Sequence, residues 1–222
     1  QVLASLPRDG HPMDWLSIGI HTLGMLGSEG DWKNDALNLV ARMPRLLGLI
    51  FRYREGRLVN IPADDLSMGL VARFTNTLDL ADVDKSVMDQ VIATYLVLHM
   101  DHGGGNLSTF AGKAVASGHA TVYSSMAGAM NALSGPLHGR ANQSCFEFVQ
   151  KIGTSDPAEV EAFVRGELEA RRPVFGFGHA VLRAEDPRAT VQFALGEKIC
   201  PDDEYFKTIR VLREVAPRVL AE

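Results

Sequence analysis

Residues 121–139 read TVYSSMAGAMNALSGPLHG, and this stretch decides the fold class. Apolar side chains recur every three or four positions up to Leu133, which is the period of an amphipathic helix. The residues between them are small, so a neighbouring helix can approach closely. Ser134, Gly135 and Pro136 then end the helix, and His138 follows at once. The stretch therefore predicts a closely packed helix that is followed by a histidine in a loop.

The same helical period extends through most of the chain. Pro12 and the pair Asp156-Pro157 suit helix starts, and Gly56 suits a helix stop. Pro44 is expected to kink or split its helix. Strand signals are weak, and the best of them is a short piece over 174–177. We therefore predict an all-α fold, with helices over 13–25, 35–54, 84–98, 121–134, 156–168 and 204–220. In the second of these, one apolar face carries Leu37, Val40, Leu47 and Phe51.

Composition narrows the class of protein. The chain has 222 residues, 46% of them hydrophobic and 22% charged, which is typical of a globular protein and untypical of disorder or a coiled coil. No run approaches the ~20 apolar residues of a membrane helix. The net charge of −5 argues against a nucleic-acid partner. Two cysteines, Cys145 and Cys200, fit neither a disulfide framework nor a zinc motif, and so indicate free thiols in a reducing compartment.

Three histidines lie beside glycine or proline at predicted element boundaries. His102 precedes the glycines 103–105, His138 follows Pro136 by two residues, and His179 follows Gly178. Arg188 comes nine residues after His179. Imidazole N–H groups can stabilise an oxyanion, and an arginine grips a carboxylate with two prongs. The pattern suggests a site for a small anion that carries a carbonyl.

Each of these groups also has a plainer interpretation. His102 could be a residue at a helix C-terminus that favours the dipole. A metal site built from His99, Asp101 and His102 does not have a standard zinc spacing. We expect the remaining groups to be structural: His11, His21 and His119 as capping or packing residues, Trp15 and Phe51 as core, and Arg52, Arg54 and Arg57 as a solvated helix end.

Three motifs together resemble the citrate synthase family. They are LHMDHGGGN at 98–106, SGPLHGRANQ at 134–143, and GFGHAVLR with DPR across 176–188. Shorter matches lie at 11–13, 52–56 and 74–76, so the resemblance covers essentially the whole chain. It implies an all-helical homodimer in which residues 1–139 belong to a large domain and residues 140–222 to a small one.

The resemblance also implies a reaction. The family is an acyltransferase of the tricarboxylic acid cycle that condenses acetyl-CoA with oxaloacetate and water to citrate and CoA. It uses no metal and no permanently bound cofactor, since CoA enters as cosubstrate. The expected location is the cytoplasm, or the mitochondrial matrix in a eukaryote, with no nucleic-acid or membrane partner.

Roles for individual residues follow from the matched motifs. His138 matches the histidine that donates to the thioester oxygen, and His179 the one that polarises the ketone of oxaloacetate. His102 and Arg188 match oxaloacetate-binding residues. The segment with Val174 and Gly176, together with Arg183, matches the part that takes the adenine and phosphate end of CoA.

One feature of the family has no match. The family's general base is an aspartate in a Pro-x-Val-Asp motif, which would lie beyond Glu222, and neither Asp202 nor Asp203 matches it. We therefore expect the 222-residue chain alone to have little or no condensing activity. The alternatives are a 2-methylcitrate synthase that uses propionyl-CoA, a citrate-cleaving relative, a non-catalytic helical module, and a metal-dependent hydrolase through His99, Asp101 and His102.

Overall fold

The computed structural model describes residues 1–101, 103–177, 182 and 184–222. Over these residues the regular structure is helical, and no strand occurs in the described ranges, which confirms the all-α prediction. A 3₁₀ turn at Leu3–Ser5 precedes the α-helices. They are α1 (Pro12–Gly27), α2 (Trp32–Arg54), α3 (Leu70–Leu78), α4 (Lys85–His99), α5 (Leu107–Ser117), α6 (Val122–Leu133), α7 (Ala141–Ile152), α8 (Pro157–Glu169), α9 (Pro187–Ile199) and α10 (Glu204–Leu220).

Local sequence explains where many of these helices begin. α1, α8 and α9 each carry proline at the first position, where its missing N–H costs nothing. The preceding residues His11, Asp156 and Asp186 accept hydrogen bonds from the first backbone amides. The capping role predicted for His11 is confirmed. In the described part of the chain, no helix is long and apolar enough to span a bilayer.

The chain divides into two compact units, Gln1–His138 (unit 1) and Gly139–Glu222 (unit 2). The assignment of residues 1–139 to a large domain and 140–222 to a small one stays a prediction.

Unit 1 is built on close helix contacts around the buried Trp15. Gly24 of α1 lies under the ring of Tyr123 on α6, where an added Cβ would come within 2.6 Å of the Tyr123 Cβ. α5 and α6 run antiparallel, with Gly112 against Ala129 and Gly128 against Val115. The small residues therefore allow the close packing that the sequence predicts.

Unit 2 has an apolar core at the contacts of α7 and α8 with α10. Val160, Val164 and Ala216 are completely buried in it. Phe148 packs edge-on against Phe163 and Phe175, with ring centroids 5.4 and 5.9 Å apart. This unit carries α9, which begins beside the predicted substrate-binding arginine.

The arginines at the end of α2 contradict one prediction. Arg52 is 3% exposed, and it donates to the carbonyls of Arg57 and Val59 at 3.1 Å each and to Asp79 Oδ2 at 3.1 Å. Arg57 donates to the carbonyls of Leu78 and Asp79. The expectation of a solvated helix end is wrong, because these guanidinium groups bind main-chain carbonyls of the segment after α2 and of the end of α3.

Two further expectations for α2 meet a different outcome. Pro44 lies buried inside one continuous helix, so the helix is not split there. Leu37 and Val40 of the predicted apolar face are exposed, whereas Leu39 and Ile50 are buried. The buried face is thus rotated relative to the one that apolar spacing alone selects.

Candidate active site

His138 lies in unit 1, in the loop after α6, and its ring contacts the start of α5. Its Nε2 atom is 3.2 Å from the backbone nitrogen of Ser108 and 2.9 Å from the Ser108 hydroxyl. Ser108 is 3% exposed and stands at the second position of α5. The antiparallel packing of α5 on α6 brings these two residues together across thirty positions of sequence.

This contact selects one form of the imidazole. A backbone N–H can only donate, so Nε2 must accept and carries no proton. Nδ1 therefore holds the proton of a neutral ring. An imidazolium would set a second N–H against the Ser108 amide and lose the bond. The geometry makes His138 a neutral hydrogen-bond donor through Nδ1, as oxyanion stabilisation requires.

The glycine loop before α5 is held by its own cap residue. Asn106 donates from its side chain to the carbonyl of Gly103 at 3.0 Å, and from its backbone nitrogen to the same carbonyl at 3.1 Å. Residues 103–105 have no side chain beyond hydrogen and are exposed. This short turn sets where the first amides of α5 point, and so where Ser108 meets His138.

Arg188 lies in unit 2, in the first turn of α9, and the helix cap orients it. Asp186 accepts the Arg188 backbone N–H at 2.9 Å, which caps the helix. The same carboxylate accepts from Nε of Arg188 at 3.0 Å and from Nη2. One aspartate thus fixes both the start of α9 and the plane of the guanidinium. A guanidinium held in one plane is suited to two-pronged recognition of a carboxylate.

The Val174–Gly176 segment also lies in unit 2. The Val174 side chain is buried in the core, so the main chain is what this residue can offer a ligand. Gly176 has φ +92°, a backbone conformation that residues other than glycine rarely adopt. A Cβ at this position would lie 3.5 Å from Cys145 Sγ. Burial raises the pKa of the Cys145 thiol, which disfavours a reactive thiolate.

A cavity of about 410 Å³ adjoins this segment. Phe148, Phe163 and Phe175 form its apolar wall, and the cavity is also lined by charged side chains of both signs, Lys151, Arg172, Glu147 and Glu167. Arg172 is paired with Glu167 at 2.7 and 2.8 Å, which lowers the pKa of that carboxyl.

The predicted site residues divide into two groups. His138 is in unit 1, and Arg188, Val174 and Gly176 are in unit 2. His102, His179 and Arg183 lie outside the described residues. The predicted roles of all seven residues stay predictions.

The proposed metal ligands include one group with a structural role. His99 Nδ1 lies 2.7 Å from the carbonyl of Tyr95, and its ring stacks on the Tyr95 ring at 4.1 Å. Asp101 is exposed. Within residues 1–101, 103–177, 182 and 184–222, no three histidine, cysteine, aspartate or glutamate side chains are grouped so as to hold a metal ion.

Sequence reasoning missed two residues that orient the candidate groups. Ser108 carries no chemical motif, and only the packing of α5 on α6 brings its amide to His138. Asp186 does carry a signal, since Asp-Pro marks a helix start. Its second role, holding the Arg188 guanidinium, could have been suspected from a spacing of two residues.

Comparison with known proteins gives one family. The sequence profile of the citrate synthase C-terminal domain matches residues 1–222. The mitochondrial citrate synthase 5 of Arabidopsis thaliana is 35% identical over 98% of this chain and 50% of its own length. The mitochondrial 2-methylcitrate synthase of Yarrowia lipolytica is 32% identical over 100% of this chain and 51% of its own length.

A solved structure agrees with these sequence relatives. The crystal structure of citrate synthase from Thermotoga maritima superposes with a TM-score of 0.83 at 27% identity, and covers 98% of this chain and 57% of that one. The chain therefore spans about half the length of the curated relatives that it matches.

Proposed function

The chain belongs to the citrate synthase family, and on that premise we propose that the protein containing it condenses acetyl-CoA with oxaloacetate and water to give citrate and CoA. The observation that carries the proposal is the hydrogen bond from the Ser108 amide to Nε2 of His138. It leaves the imidazole neutral and protonated at Nδ1, which is the form that an enolate-stabilising donor must have.

The chemistry explains why this form matters. The α-hydrogen of a thioester is a very weak acid, so its transfer to a general base, an aspartate in this family, needs stabilisation of the enolate oxygen as charge develops. A preorganised N–H at His138 supplies that stabilisation without reorganising water. The enolate carbon then attacks the ketone carbon of oxaloacetate, whose oxygen takes up a proton to become the hydroxyl of citryl-CoA. Water then hydrolyses this thioester to citrate and releases CoA.

The remaining roles follow from the motifs that this chain shares with its family. Arg188 grips a carboxylate of oxaloacetate, with its plane set by Asp186. His179 polarises the ketone, and His102 binds the same substrate. Arg183 and the main chain of Val174 and Gly176 take the adenine and phosphate end of CoA. These assignments are supported by sequence motif and, for Arg188 and Gly176, by local geometry.

The partners and the location are proposed at the same level. We expect a homodimer, which light scattering of the complete protein would measure. The two relatives named above are mitochondrial proteins. For this protein, the mitochondrial matrix of a eukaryote or the cytoplasm stays a prediction that fractionation would test.

A 2-methylcitrate synthase is the second candidate, because a relative with that activity is nearly as similar as the citrate synthases. One methyl group in a pocket changes selectivity by only about 1–3 kcal/mol. Rates of oxaloacetate-dependent thiol release from acetyl-CoA and propionyl-CoA, measured on the complete protein, decide between the two.

The test of the main proposal replaces His138 in the complete protein. His138→Ala should lower kcat for thiol release by about 10²–10³-fold, the usual effect of losing one oxyanion donor. His99→Phe is the matched control, because it keeps the stack on Tyr95 and should leave kcat unchanged. An unchanged kcat in His138→Ala would overturn the proposal.

A second measurement tests the ring form directly and needs no activity. Histidine-selective ¹⁵N labelling of the 222-residue chain should give His138 a protonated Nδ1 and an unprotonated Nε2 at neutral pH, with the signal assigned by its loss in His138→Ala. A protonated Nε2 would contradict the structure of this site.

A further inference from the structure

An ion pair outside the predicted site fastens the start of α9 to α10. Arg213 on α10 donates from Nε to Glu185 Oε2 at 2.7 Å and from Nη2 to Oε1, so the two groups meet fork to fork. Thr190, in the first turn of α9, donates to the same Oε1 at 2.7 Å. These bonds lower the pKa of the Glu185 carboxyl. Glu185 is therefore ionised and held by both helices.

Arg213 is fixed on a second side by an aromatic ring. Its guanidinium carbon lies 4.3 Å from the centroid of Phe193, and Phe193 in turn packs against Phe206 of α10 at 6.1 Å. A planar cation that is both stacked and paired at two nitrogens has little freedom to move. The pair is thus more rigid than a typical surface ion pair.

Glu185 directly precedes the residue that orients Arg188. Asp186 caps α9 and grips the Arg188 guanidinium, so the position of Asp186 determines where that guanidinium points. We propose that Glu185 and Arg213 are positioning residues, which hold Asp186 and Arg188 in place to receive the carboxylate of the keto-acid substrate. The inference rests on the proposed role of Arg188.

The proposal includes an electrostatic consequence. With Arg213 in place, the negative charge of Glu185 is neutralised. Without Arg213, that charge stands next to the start of α9, where an anionic substrate would have to bind. Removing Arg213 should therefore weaken substrate binding more than removing the charge of Glu185 does.

The fold offers a matched control at the other end of the same helix. Arg210 on α10 pairs with Glu197 near the end of α9, with Nε and Oε1 3.0 Å apart. That pair joins the same two helices and has similar exposure. It is far along the helix from Arg188. If the pairs serve only helix packing, the two should respond alike.

The experiment measures KM for oxaloacetate and kcat in the complete protein. Arg213→Met should raise KM about fivefold and Glu185→Gln about twofold to threefold, with kcat little changed, in keeping with the strength of a partly exposed ion pair. Arg213→Lys should recover part of the loss, because it keeps the charge. Glu197→Gln and Arg210→Met should leave KM unchanged. Circular dichroism of each variant checks that the helices remain folded.

The outcomes separate the two proposals. Arg188→Gln is measured alongside. If it raises KM for oxaloacetate and Arg213→Met does not, the positioning role is overturned and the role of Arg188 stands. If Arg188→Gln leaves KM unchanged, the role of Arg188 fails and the inference fails with it. Equal effects of Arg213→Met and Arg210→Met on KM would show that both ion pairs serve only helix packing, which would overturn the positioning role.

Discussion

Unit 1 and unit 2 bury different kinds of side chain. Unit 1 encloses the guanidinium groups of Arg52 and Arg73 and the carboxylate of Asp35, each less than a tenth exposed. In the described residues of unit 2, Thr208 is the one buried polar side chain, and the ion pairs lie at the surface.

The difference follows from how each unit handles irregular backbone. Unit 1 contains the long connection 55–69 between α2 and α3, whose carbonyls need hydrogen-bond donors because no regular structure pairs them. Arginines supply them. The core of unit 2 is apolar, so its stability depends mainly on packing. We therefore expect unit 1 to be sensitive to single charge removals and unit 2 to single cavities.

The largest effect is expected from breaking a buried pair in unit 1. Arg73 donates to both oxygens of Asp64, at 3.0 and 2.8 Å, and to the carbonyl of Ala41 at 2.8 Å. Arg73→Met should lower the free energy of unfolding by about 3–5 kcal/mol, because it strands a half-buried carboxylate. Urea unfolding followed by tryptophan fluorescence is the measurement, since Trp15 and Trp32 both lie in unit 1. The double variant with Asp64→Asn should recover part of the loss; a loss under 1 kcal/mol in Arg73→Met would contradict the comparison.

A cavity in the core of unit 2 comes next. Leu212 of α10 is 3% exposed. Leu212→Ala should cost about 2–4 kcal/mol through lost burial and the void that remains. Leu220→Ala on the same helix is the control, because Leu220 is 43% exposed and should cost far less. Urea unfolding followed by circular dichroism measures both. Equal losses at the two positions would show that the apolar core is not the main source of the stability of unit 2.

Low pH should remove the contribution that ionised Asp64 makes to the stability of unit 1. The hydrogen bond from Arg73 holds the pKa of the Asp64 carboxyl below its ordinary value. A group whose folded pKa is lowered stabilises the protein above its unfolded pKa, about 3.9, and that contribution disappears as pH falls toward the folded pKa. The difference in unfolding free energy between the wild type and Asp64→Asn should thus be constant above about pH 5 and shrink below about pH 4. Urea titrations over this range test it, and a difference that persists at pH 2 would refute it.

The smallest effect is expected at a surface pair of unit 2. Arg172 and Glu167 pair at 2.7 Å, with the arginine side chain 59% exposed. Arg172→Met should lower the free energy of unfolding less than either substitution above, and the loss should vanish in 1 M NaCl, where charges are screened within about 3 Å. The same salt should leave the effect of Arg73→Met nearly unchanged. If salt changed the effects of Arg172→Met and Arg73→Met alike, the distinction between a surface pair in unit 2 and a buried pair in unit 1 would be wrong.

Much of the fold could be predicted because helix starts and stops are local. His11-Pro12, Asp156-Pro157 and the glycine at position 56 act within one turn of chain, and the structure uses all three. The contacts of the arginines at the end of α2 could not be predicted in this way. Their partners are carbonyls of a distant or irregular segment, and no spacing rule states which carbonyls will be buried.

In the candidate site, too, the residues marked by local sequence could be predicted and those placed by long-range packing could not. His138 and Arg188 stand out by motif, so the sequence identifies them. The groups that orient them are a main-chain amide thirty positions away and a helix cap, which look ordinary in the sequence. The Glu185–Arg213 pair is less visible still, because it depends on how α9 lies on α10.

The amide of Ser108 has a consequence for how this protein can vary. Every amino acid except proline presents the same N–H at that point of the chain. Substitution at position 108 can therefore change the side chain, within the limits of a tight space, and still leave the imidazole of His138 neutral with its proton on Nδ1. A hydrogen bond from a backbone amide survives most point mutations, and here that bond determines the tautomer of one histidine.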